Sequence, residues 1–139
     1  MKMLLAVDGS DYSRRAIDFL ERSGWLRPDN EISAFTVVLP VPHAAAAFVS
    51  PAVVANYYQD DAEQVLRPIR QRLASCSAKV DFSHVIGIRA DAIARKATSE
   101  GYDLVVMGSH GHGALGNVVL GSVATRVLAT CRTPVLLIR

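Results

Sequence analysis

The chain has 139 residues, half of them hydrophobic and a fifth charged, which is the size and make-up of one globular domain with a core of two or three layers. Its formal net charge of +2 is small and its basic residues are scattered, which argues against a nucleic-acid partner. No stretch is apolar for long enough to span a bilayer, Asp8 interrupts the first apolar run, and Cys76 and Cys131 lack metal-site spacing. The expectation is a cytoplasmic protein with no membrane partner and two free thiols.

Residues 3–7 form a short continuous apolar run ended by Asp8-Gly-Ser10, which predicts a strand buried on both faces. Ser10 or Asp11 can cap the helix that follows, whose inward stripe is Ala16, Ile17 and Leu20 and whose stop is Ser23-Gly24. Residues 32–39 are β-branched and apolar and give a second strand, closed by Pro40 and Pro42. Residues 43–56 are the least readable part, since the run Ala44-Ala-Ala-Ala47 suits helix or loop, and Pro51 suggests an interruption.

Ala62, Val65, Leu66, Ile69 and Leu73 share one face of a helix, in which Pro68 predicts a kink or a restart. Arg67, Arg70 and Arg72 on that helix read as a solvated face. Val80, Phe82, His84 and Ile86 alternate as in a less buried strand, with His84 a partly covered strand residue rather than a ligand. Asp91 is a candidate cap for a third helix that ends at Gly101. Residues 104–107 and 134–138 give the last two strands. Strands alternating with helices argue for a parallel sheet with right-handed crossovers.

The stretch that carries chemistry follows the fourth strand. Residues 107–122 are rich in glycine and lead into a helical pattern at residues 123–128. A strand that ends in a glycine-rich loop and opens a helix offers unpaired N–H groups to an anion, best a phosphate. No Asp or Glu follows Asp103, whereas His110, His112, Arg126, Arg132 and Arg139 do. The P-loop pattern fails because no Lys follows Asp103. A dinucleotide pattern matches at Gly111, Gly113 and Gly116, but the acidic residue it needs about 20 positions on is missing. His110-x-His112 alone is too few ligands for a metal. Contact with phosphate or simple loop polarity fits it better. Asp8, at the end of the first strand, can accept hydrogen bonds from ribose hydroxyls or cap its own turn.

The spacing Gly108-x2-Gly111-x9-Gly121-Ser122 resembles the ATP-binding signature of the universal stress protein family. The likeness runs from Leu4-Leu-Ala-Val-Asp-Gly-Ser10 to Thr133-Pro-Val-Leu-Leu-Ile138, essentially the whole chain. It implies one domain over residues 1–139, a three-layer, Rossmann-like α/β fold. Its open parallel five-stranded sheet would run in the order 3-2-1-4-5, with helices on both faces. It also implies ATP as ligand, with Mg²⁺ arriving on the phosphates.

The implied site is Ala6, Asp8, Val37, Met107, Gly108, Gly111, Gly121, Ser122 and Val123. Asp8 would hold the ribose and the backbone of Val37 the adenine. Backbone N–H groups at Gly108, Gly111 and Gly121 would hold the phosphates, and Ser122 would cap the last helix or donate to a phosphate. Thr36 departs from the family pattern, which often has His there. A homodimer through the C-terminal strand is implied as well, with Val135 and Leu137 as candidates to face the partner. The function so implied is a nucleotide-dependent regulatory module of the stress response. A slow ATP hydrolase or phosphotransferase and a nucleotide-independent dimeric scaffold are the alternatives. The loop has no acidic base for hydrolysis, so turnover is expected to be slow or absent.

Overall fold

The computed structural model describes residues 1–113 and 119–139. Five parallel strands form one sheet in the order β3-β2-β1-β4-β5: β1 (Lys2–Ala6), β2 (Glu31–Val38), β3 (Lys79–Ile86), β4 (Leu104–Gly108) and β5 (Val135–Ile138). The strand order is the expected one. β1 lies at the centre, which is why residues 3–7 are apolar without alternation: Met3, Leu5 and Val7 pack on one face, Leu4 and Ala6 on the other. The first face is covered by α1 (Asp11–Arg22) and α3 (Pro51–Leu73). The second is covered by α4 (Arg89–Ser99) and α5 (Ser122–Thr130).

Ser10 is the residue that caps α1. Its hydroxyl accepts from the N–H of Ser13 at 3.3 Å, while Asp11 is the first helical residue. The segment that resisted reading holds a short helix, α2 (His43–Ala46), and then the start of α3. Pro51 opens α3 instead of interrupting it. At the first position of a helix its missing N–H costs nothing, and Ser50 before it caps the helix by accepting from Val53 N–H. The helix runs unbroken through Pro68, so the expected restart does not occur.

Asp91 is not a cap. α4 begins two residues earlier, because β3 ends at Ile86 and the carbonyl of Ile88 already accepts from Ala92 N–H at 2.9 Å. Asp91 sits inside the first turn and binds Arg126 of α5 at 3.0 Å. That arginine therefore joins two helices.

β3 and β5 are the edges. β3 is half-buried to exposed along its length, as its alternating sequence predicts. In β5, Leu136 and Ile138 pack toward the α1/α3 face, and Val135 and Leu137 toward the α4/α5 face. All four are only half-buried. The N–H groups of Val105 and Ser109 donate to the carbonyls of Pro134 and Ile138. By the alternation of a parallel ladder, the backbone of Val135 and Leu137 faces away from β4. Their side chains thus belong to the core, and it is their backbone that lies open along the edge. Both cysteines are free and half-buried.

Candidate nucleotide site

The C-terminal ends of β1 and β4 lie side by side, with Ala6 in register with Met107. A cavity of about 440 Å³ opens beyond them, between the starts of α4 and α5. That size suits a small organic ligand. Ala6, Asp8, Val37, Met107 and Gly108 all line it, and so do Gly111, Gly121, Ser122 and Val123. The full set expected from sequence therefore surrounds one cavity. Gly116, the last position of the dinucleotide-like spacing, lies outside the described residues.

Asp8 caps its own turn and also lines the cavity. Its Oδ1 accepts from Ser10 N–H at 2.9 Å and from the Ser13 hydroxyl at 2.8 Å, while Ser13 Oγ accepts from Asp8 N–H at 2.9 Å. This fixes the carboxylate through its own turn. Oδ2 faces the loop, since a Cβ on Gly111 would stand 2.7 Å from it. Partial burial pushes the Asp8 carboxyl up. The hydrogen bonds from Ser10 and Ser13 and the nearby His112 ring outweigh this and hold its pKa below the ordinary Asp value. It is an ionised acceptor at neutral pH.

The glycines act in different ways. A Cβ on Gly108 would meet Tyr12 Cβ at 2.5 Å and the Tyr12 backbone at 3.0 Å. This glycine lets α1 lie directly on the end of β4. Gly121 has φ −68° and ψ 157°, a conformation open to any residue, so its requirement is one of space. A Cβ there would stand 3.1 Å from His110 Cα and 3.2 Å from the Ser109 carbonyl oxygen. Gly121 N–H donates to that same carbonyl at 2.8 Å. The N–H expected to meet phosphate is therefore spent on drawing the loop against the start of α5.

Gly121 also takes the capping place expected of Ser122. Its carbonyl accepts from both the N–H and the hydroxyl of Thr125 at 2.9 Å. Ser122 is the first helical residue, and the first-turn N–H groups, which have no partner within a helix, belong to residues that line the cavity. Those groups and the helix dipole make this end of the cavity suited to an anion.

The two histidines close the loop. His112 Nε2 lies 2.7 Å from the Asp8 carbonyl oxygen, which can only accept, so the ring donates. This bond ties the loop to the end of β1. His110 Nδ1 lies 2.9 Å from Ser109 Oγ, and its ring lies tilted by 38° against that of Tyr12, with centroids 5.0 Å apart. Neither role was read from sequence.

A profile of the universal stress protein family matches residues 1–139. The chain belongs to the universal stress protein family. A universal stress protein of Thermus aquaticus is 32% identical over 99% of this chain and 97% of its own length. The solved structure of MJ0577, a universal stress protein of Methanocaldococcus jannaschii, is 27% identical. It superposes with a TM-score of 0.84 over 99% of this chain and 94% of that one. Two more distant universal stress proteins share the fold. One was solved in complex with cAMP (24% identical, TM-score 0.71, covering 100% of this chain and 97% of that one). The other, from Arabidopsis thaliana, was solved with AMP bound (18% identical, TM-score 0.70, covering 99% and 90%).

Sequence reading missed two groups at this universal stress protein site. Ser13 orients Asp8, and its signal was the second serine in Asp8-Gly-Ser10-x-x-Ser13. Arg89 and Ile93, from the first turns of α4, line the cavity opposite α5. Arg89 carried a signal too, since a cation is out of place at the start of a helix.

Proposed function

We propose that this protein binds ATP in the cavity beyond β1 and β4 and acts as a nucleotide-dependent regulatory module of the cytoplasmic stress response. One observation carries the reading. A fixed carboxylate and the N-terminus of α5 face one cavity across the junction of β1 and β4. That pairing suits a ligand with a sugar diol at one point and phosphates at another. The adenine nucleotides bound by the Arabidopsis protein and by the cAMP-bound relative support the choice of base.

Asp8 takes the ribose through Oδ2, and the backbone of Val37 takes the base edge. The α5 N-terminus and the Gly111 region take the phosphates. Among the described residues Asp8 is the one carboxylate that lines the cavity, and no cluster of three metal-ligating side chains occurs. Mg²⁺ would then ride on the phosphates rather than on a protein cage. With Oδ1 held by Ser10 and Ser13, Asp8 is a binding group rather than a base, so the site is proposed to hold ATP rather than to turn it over. Heat-denaturing the purified protein and resolving the released small molecules by anion exchange tests this. Adenine nucleotide near one per chain is expected. A nucleotide-free supernatant, together with no uptake of added ATP, would remove the reading.

The proposed assembly is a homodimer through β5. Its support is the open backbone of Val135 and Leu137 on a half-buried apolar edge, which invites pairing about a two-fold axis. Light scattering at micromolar concentration should give twice the chain mass of 15.0 kDa. A monomer would remove β5 from any interface. Lysines at Val135 and Leu137 are poor probes, because those side chains pack on the α4/α5 core and their loss would confound dissociation with unfolding.

A further inference from the structure

Arg89 is the first residue of α4, is exposed and lines the cavity. A cation there faces the positive end of the helix dipole, which disfavours it. Among the described residues the guanidinium has no hydrogen bond, ion pair or ring partner, and the one carboxylate of that turn, Asp91, is taken by Arg126. Its neighbours on this face differ. Arg126 is paired with Asp91, and Lys96 with Glu100. An unpaired arginine set against a helix dipole and turned to a cavity is a group kept for a ligand.

Its place in the fold says which part of the ligand it meets. α4 follows β3 and packs over β2, whereas α5 follows β4. The anion-suited end of the cavity is at α5. The end at α4 is apolar, walled by Phe35, Val37 and Ile93. A ligand that places phosphates at α5 extends its base toward this wall. A guanidinium is planar and weakly hydrated, and it stacks well on an aromatic face.

We propose that Arg89 stacks on the base of the bound nucleotide and is a main determinant of affinity at the α4 end of the cavity. This rests on the nucleotide reading above. The test is to titrate ATP, ADP and AMP into the wild type and into Arg89→Ala by calorimetry. All three ligands should weaken by the same factor, about five- to ten-fold, because the base is common to them. The variant should unfold at the same temperature as the wild type or slightly higher, since a cation has left the helix start. A loss graded from ATP to AMP would assign Arg89 to phosphate and overturn the proposal, as would unchanged affinities. A wild type that binds none of the three would instead sink the nucleotide reading itself, and the stacking role with it.

Discussion

Gly121→Val is expected to abolish nucleotide binding, with affinity for ATP falling at least about a hundred-fold. The cause is not a side chain standing where phosphate goes. The Cβ position of Gly121 points at the backbone of His110 and Ser109, 3.1 and 3.2 Å away. Alanine needs a shift of a few tenths of an ångström there, and the two methyls of valine need more. The shift must come from the contact in which Gly121 N–H reaches the Ser109 carbonyl at 2.8 Å. Breaking it moves the start of α5 away from the loop, and with it the N–H groups proposed to hold phosphate. A graded series is therefore expected, with Gly121→Ala mildly weakened and Gly121→Val without measurable binding. The overpacking should also lower stability by about 1–3 kcal/mol, read by urea denaturation. Wild-type affinity in the valine variant would show that phosphate does not depend on this end of the loop.

Asp8→Ala should weaken ATP and ADP equally, by about 1.5–3 kcal/mol, or roughly ten- to a hundred-fold. The equality follows from the ribose, which both share. A loss confined to ATP would assign Asp8 to the γ-phosphate through a metal. The pH dependence has a definite sign. Because the folded-state pKa of Asp8 is depressed, its ionised form contributes stability that is complete above the unfolded value. That contribution is lost as pH falls through the lower, folded value. The acceptor role follows the same curve. Affinity should owe nothing to Asp8 titration near neutrality and should lose the Asp8 contribution only below the ordinary carboxylate range, measured by titration at fixed ionic strength. A drop centred near neutral pH would point to a group other than Asp8.

The parts of this molecule that could be read from sequence are those fixed by short-range rules. The uninterrupted apolar run of β1, the alternation of β3 and the inward stripes of α1 and α3 are local consequences of burial on two faces, one face or a stripe. The order of the strands is not local, and it came from the family resemblance. Pro51 misled because proline forbids a helix interior but suits its first position, and only the Ser50 cap distinguishes the two. Asp91 misled for the opposite reason. A carboxylate favours both the cap and the first turn, and α4 starts two residues before Asp91, with Ile88 in the capping place.

At the candidate site, the glycine spacing leads to residues that line the cavity, but two of the glycines are small for reasons that the spacing does not contain. Gly108 is small for the sake of Tyr12, and Gly121 for the sake of the His110 and Ser109 backbone. Neither neighbour adjoins its glycine in sequence. His112 likewise reaches back 104 positions to the Asp8 carbonyl, a contact that no spacing rule contains. Arg89 belongs to an element whose first turn reaches the cavity only because α4 packs beside α5 over the same face of the sheet.

Calorimetric titration of ATP, with Mg²⁺ present, into nucleotide-stripped protein tests the central claim most directly. The expected result is saturable binding of one ATP per chain, competed by ADP and lost in Gly121→Val. An absence of saturable binding at millimolar ATP, in protein whose circular dichroism confirms the α/β fold, would contradict it.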